Sequence, residues 1–77
     1  MFEYNVFPDN SSFEFKKACQ KIEREFPKAD KKKMLTDVDG TTIQTYTYNG
    51  KDIDVYDDYD VGAVFIKSEM ELNSIFT

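Results

Sequence analysis

At Asn49-Gly50 the chain is committed to reversing direction. Both residues tolerate the positive φ of a tight type I′ turn, and the runs on either side, Thr41 to Tyr48 and Lys51 to Asp57, alternate apolar and polar residues. A two-residue loop fixes the register. Tyr48 then faces Lys51, Tyr46 faces Ile53 and Gln44 faces Val55 on one side of the hairpin, while Thr47 with Asp52, Thr45 with Asp54 and Ile43 with Tyr56 occupy the other. The first side is largely apolar and is expected to enter a core. The second side, rich in threonine, aspartate and tyrosine, is expected to face water.

Around this hairpin the sequence reads as an α+β domain. Phe2, Tyr4 and Val6 alternate with Glu3 and Asn5 as a first strand, ended by Pro8-Asp9-Asn10. Ser11 and Glu14 form a capping box, in which serine and glutamate each satisfy a free amide at a helix start. The helix that follows carries Phe15, Ala18, Cys19, Ile22 and Phe26 on one stripe and ends before Pro27. Lys33 to Val38, Thr41 to Tyr48, Lys51 to Asp57 and Val61 to Ser68 are the later strand candidates, and Ser68 with Glu71 predicts a short terminal helix containing Met70, Leu72, Ile75 and Phe76. At Asp39-Gly40 two-residue arithmetic would set Leu35 opposite Gln44 and send Met34 and Val38 to the wet side, so a longer loop is expected there.

The fold expected for residues 1–77 is a single domain. One amphipathic helix packs on a four- to five-stranded, mainly antiparallel sheet in the order β-α-β-β-β-β, with the short C-terminal helix after it. Its core is predicted from Phe15, Ala18, Ile22, Phe26, Tyr46, Ile53, Val55, Val64 and Ile66, with Ala63 and Phe65 on the alternate face. At 77 residues such a chain buries only about 60 to 65 per cent of its unfolded surface, so it has room for one core.

Composition narrows the functional classes. With 40% hydrophobic and 16% aromatic residues the chain is too apolar for a disordered acidic tail. A lone cysteine, Cys19, excludes an internal disulfide and suits a reducing cytoplasm. No run approaches the ~18 apolar residues of a membrane span, and Met1 to Phe15 lacks the pattern of a signal peptide. The net charge of −5 is unevenly placed: residues 1–36 hold eight basic and six acidic residues, a balance of +2, and residues 37–77 hold two and nine, a balance of −7. An acidic half repels nucleic acid and anionic lipid and steers basic partners toward itself, so no direct nucleic-acid or membrane contact is expected.

Catalytic and metal chemistry find little support. Met34-Leu35-Thr36-Asp37-Val38-Asp39-Gly40-Thr41 resembles the first motif of the haloacid dehalogenase-like phosphatases. The resemblance implies Asp37 as nucleophile, Asp39 as general acid/base and Mg²⁺ beside them. That chemistry requires a parallel nucleotide-binding-type sheet and later Ser/Thr, Lys and acidic groups, whereas the residues after Thr41 read as a meander; a turn built by Asp and Gly is the expected reading. Calcium-loop spacing also fails. With Gly40 at the sharp turn the first ligand is Leu35 and the last Tyr46; with Gly62 there, Tyr59 and Val61 interrupt the ligand positions. Histidine is absent, Cys19 lies on the apolar stripe, and Lys28, Lys31, Lys32 and Lys33 lack interleaved aromatics for nucleic-acid stacking. No enzyme activity, cofactor or metal is expected.

What remains is the tyrosine-studded acidic segment Tyr46 to Asp60. Tyrosine brings large contact area at low entropy cost, and aspartate brings complementarity to a basic surface. The expected interface is Asp52, Asp54, Asp57, Asp58 and Asp60 as the charges, with Tyr56 and Tyr59 as anchors. Such a chain is expected to be a cytoplasmic inhibitor or immunity-type protein, bacterial or phage in style, that occludes a partner's basic site, such as a nucleic-acid-binding groove. It would be a monomer or weak homodimer. The alternative is a homo-oligomeric accessory protein joined through a sheet edge, for example Val61 to Ser68.

Overall fold

The computed structural model describes residues 1–76. It contains β1 (Phe2–Phe7), α1 (Ser12–Glu25), β2 (Asp30–Lys31), β3 (Leu35–Thr36), β4 (Thr42–Tyr48), β5 (Lys51–Asp58) and β6 (Ala63–Ser68). The strands make one antiparallel sheet in the order β1-β6-β5-β4-β2, with β3 also pairing β4, and α1 lies across one face. The fold is α+β, as the sequence predicts.

The β4–β5 hairpin has the expected register at every pair from Tyr48↔Lys51 to Ile43↔Tyr56. Asn49 and Gly50 take φ of 52° and 75°, the left-handed pair that a type I′ turn requires. Period-two alternation then sends Gln44, Tyr46, Ile53, Val55, Val64, Ile66 and Ser68 to the helix side, where all are buried. Phe15, Ala18, Cys19 and Ile22 of α1 meet them there, and Tyr4 from β1 and Leu72 complete the core. Phe26, predicted in the core, is half-buried at its margin, where its ring lies 5.1 Å from that of Tyr48.

The helix begins at its predicted cap, with one substitution of partner. Ser11 is extended, and its hydroxyl accepts from the N–H of Glu14 at 3.1 Å. The N–H of Ser11 goes to the carboxylate of Asp57, on β5, at 3.3 Å. A sheet residue thus takes the acceptor role that a capping box would give to Glu14. At the other end the N–H of Phe26 closes on the carbonyl of Ile22 before Pro27.

Three sequence expectations are corrected. The predicted strand Lys33 to Val38 is replaced by the two short strands β2 and β3, which raises the strand count from four or five to six. Lys32 pairs in the register of β2 and Leu35 lies opposite Ile43, so Lys33 and Met34 together oppose Gln44. The side-chain amide of Gln44 donates to the Lys32 carbonyl at 2.6 Å where the ladder slips. The loop that follows, Asp37 to Thr41, is longer than two residues, as expected.

The terminal helix does not form. Ser68 is fully buried within β6, and its hydroxyl, although it accepts from the Met70 N–H as a cap would, also donates to the Met70 carbonyl and so fastens a tight local turn. Residues 69–76 contain no helix. They form turns that seat Leu72 in the core, its N–H donating to the Tyr4 hydroxyl at 2.6 Å. The third correction concerns the edges. Val61 to Ser68 is not an exposed edge, because β6 lies between β1 and β5.

Candidate functional site

Among the described residues, only one face of the sheet is covered. On the other, alternation and register line up Leu35, Ile43, Tyr56, Phe65 and Asn5 in a row across five strands. Tyr56 and Phe65 stack with ring centroids 4.8 Å apart and planes 10° from parallel. Both rings are partly exposed, and Leu35 is 58% exposed at the end of the row. Beside Phe65 an open groove of about 370 Å³ runs to β1, lined by Glu3, Asn5, Val61, Phe65 and Lys67.

Carboxylates flank this row on one side. Thr45, Asp54, Lys67 and Glu3 form the next row, and Asp30, Thr47 and Asp52 the one beyond. Each aspartate on β5 is steadied by the threonine across from it: Thr45 donates to Asp54 at 2.7 Å and Thr47 to Asp52 at 2.8 Å. Two lysines lie within this patch: Lys32, opposite Thr45, pairs with Asp30 at 2.7 Å, and Lys67 stands 3.9 Å from Glu3 and 5.8 Å from the centroid of Tyr56. Partial burial, and then the charges of Asp54 and Asp58, push the Tyr56 phenol above its ordinary pKa, so at neutral pH it remains a neutral hydrogen-bond donor.

The predicted site residues fall in three places. Asp52, Asp54 and Tyr56 share the open face, as the register arithmetic requires. Asp58 closes β5, and one of its carboxylate oxygens accepts from the N–H groups of Asp60 and Val61, forming the turn that carries Tyr59 and Asp60. Tyr59 is turned toward the Asp37–Thr41 loop: its N–H donates to the Thr41 hydroxyl, and its ring lies against Gly40, where a Cβ would come within 3.1 Å.

Asp57 is the residue that leaves the expected surface. It lies on the helix side, 8% exposed, accepting from Asn10 and from the Ser11 N–H, and is not placed to meet a partner with the others. Its spacing from Ile53 and Val55 already assigns it there. Phe65 and Leu35 are additions to the face; the alternation Ala63-Phe65-Lys67 is the signal for the first.

Asp39 acts as a turn residue, its carboxylate accepting from the N–H and hydroxyl of Thr41 at 3.0 and 3.2 Å. Among the described residues no three His, Cys, Asp or Glu side chains converge as a metal site would need. A second cavity, of about 280 Å³, opens between α1 and the β2–β3 edge over Phe15, Cys19 and Tyr46. There the Tyr46 hydroxyl donates to Glu23, which also pairs with Lys31 at 3.1 Å. Burial raises the Cys19 thiol above its ordinary pKa, which leaves it a weak nucleophile. No helix in the described residues is long and apolar enough to cross a membrane.

Compared with family models, curated proteins and solved structures, the chain matches none. The functional reading therefore rests on the residues and their geometry.

Proposed function

We propose that the chain is a protein-binding module of the inhibitor or immunity type, which acts by covering a basic surface of a partner protein with the open face of its sheet. The observation that carries this reading is the stacked Tyr56–Phe65 pair on an uncovered face, bordered by Asp52 and Asp54. An aromatic centre with a charged rim is the arrangement from which binding hot spots are built, and carboxylates already held by threonine hydroxyls lose little freedom on meeting Lys or Arg. The lone buried cysteine suits a reducing cytoplasm. The module works by occupancy and needs no turnover.

The test is capture from the source cell on three immobilised proteins: the wild type, an open-face variant combining Asp52→Asn, Asp54→Asn and Tyr56→Ser, and a helix-face variant combining Lys17→Ser and Lys21→Ser. A basic protein retained by the first and third, absent from the second and released by salt is the expected result. Retention indifferent to the open-face changes, or no retained protein, would sink the reading.

A further inference from the structure

The two edges of the sheet are built differently. The β2–β3 edge carries Asp30, Lys31, Lys32 and Lys33, and its ladder slips where Lys33 and Met34 oppose Gln44. Charges, especially lysine, and interruptions of the ladder are the devices that keep an edge from pairing with another chain. From Phe2 to Asn5, β1 has only Glu3 as a charge and no break in its ladder. Its register with β6 is regular over those residues, it has no lysine and no proline, and the irregularity at Val6 comes only afterwards. Among the described residues, no backbone bond outside the ladder reaches residues 2–7. Phe2 and Phe7 stand 44% and 36% exposed at the two ends of the strand.

An open strand edge presents alternating N–H and C=O groups, and the ligand that satisfies them is another strand. We propose that this strand is β1 of a second copy, paired antiparallel about a two-fold axis through Tyr4 so that the two sheets become one. The sequence of β1 is self-complementary about that residue. With the axis normal to the sheet, both helices stay on one side and residues of like face meet. Glu3 then faces the partner's Asn5, carboxylate to amide, and the match occurs twice. Phe2 faces the partner's Val6 on the helix side, also twice. Sliding the strands by one residue in each copy sets Glu3 against its own counterpart, two carboxylates opposed, or Glu3 against the partner's Phe7 beyond the bulge. The Tyr4 register avoids both.

The joint leaves the row from Leu35 to Phe65 uncovered and touches the open face only at its margin, where Glu3 and Asn5 lie. It also carries the row onward, because Asn5 at its end meets the partner's Glu3. The joint is short, and a dimer in exchange with monomer is expected.

Sedimentation equilibrium across a wide concentration range tests the pairing, together with amide hydrogen exchange at the two ends of that range. The wild type should pass from the mass of one chain to that of two, with slowed exchange at the higher concentration confined to residues 2–6. Combining Glu3→Lys with Asn5→Lys sets four lysines across the joint and should hold the protein monomeric, whereas Lys33→Glu at the opposite edge should leave the dimer intact. A wild type with the mass of one chain at every concentration overturns the proposal, as does a dimer that survives the double lysine change. Should the double variant fail to fold, the wild-type exchange decides alone: protection at residues 2–6 supports the joint, and protection elsewhere refutes it.

Discussion

Tyr56 and Phe65 lie face to face on neighbouring strands, 4.8 Å between ring centroids, on the side of the sheet that no helix covers. The fully buried Ile53, Val55, Val64 and Ile66 stand on the opposite side of the same two strands. The stacked pair is worth roughly 0.5 to 1.5 kcal/mol beyond its area, whereas truncating a packed core side chain costs about 2 to 5 kcal/mol. Urea unfolding should therefore show Tyr56→Ala and Phe65→Ala destabilising far less than Ile53→Ala. Equal losses would mean that the open face is a structural layer in its own right.

Asp57 ties the sheet to the start of α1 through the Ser11 N–H and the Asn10 amide. Removing it leaves the part-buried Ser11 N–H without its acceptor, while the Asn10 amide keeps the Asp58 carbonyl, a loss of about 1 kcal/mol; Ser11→Ala, which removes the local cap, costs about 1 kcal/mol. The double variant should fall short of additivity, because both changes release the same helix end. Strict additivity in chemical denaturation would show that the two contacts are uncoupled.

Gly40 and Gly50 both have positive φ, 93° and 75°, yet they differ in what a side chain would meet. A Cβ at Gly50 has nothing within 4 Å, whereas at Gly40 it comes within 3.1 Å of the Tyr59 ring. Gly50→Ala should show the backbone penalty alone, about 1 kcal/mol. Gly40→Ala should add displacement of Tyr59, visible as a change in its ring resonances. An undisturbed Tyr59 in that variant would contradict the contact.

The Tyr46 hydrogen bond to Glu23, reinforced by Lys31, holds the Glu23 carboxyl below its ordinary value of 4.5. Burial, and then the same Glu23 contact, pushes the Tyr46 phenol far above its ordinary value of 10.0. The signs are opposite in pH. A depressed carboxyl contributes stability that is full above its unfolded pKa and is lost as pH falls through the folded one; a raised phenol contributes stability that is full below its unfolded pKa and is lost as pH climbs beyond it. Stability should thus dip gently in acid, gently because Glu23 is 42% exposed, and fall steeply in alkali. Tyr46→Phe should weaken both dependences, with Tyr56 keeping a smaller alkaline share. Unchanged pH profiles for Tyr46→Phe would remove this account.

The local features were legible in the sequence. Asn49-Gly50 sets the hairpin register through two backbone conformations, and Ser11 caps α1 through atoms three residues away. What could not be read depends on distant chain. Asp57 looks like a surface charge until Asn10 and the Ser11 N–H arrive from 46 or more residues away, although its alternation with Ile53 and Val55 marks its side. The Ser68 capping signal is overridden because β1 and β5 bury that serine within the sheet. For the same reason β6 cannot be an edge: the strand that covers it is the first in the chain. In the candidate site, Tyr56, its two threonine-held aspartates and the side of Phe65 followed from register and alternation, while Leu35 joins the row only through the slip of the ladder at Gln44.

Carboxyl footprinting tests the central claim most directly. The captured basic partner is mixed with the protein, exposed carboxylates are labelled with a carbodiimide and an amine, and the labelling of each acid is compared with that of the free protein. The account predicts that Asp52 and Asp54 become protected while Glu14 and Glu25 on α1 label as before. Protection of Glu14 and Glu25 with Asp52 and Asp54 still fully labelled would place the partner on the helix and contradict it.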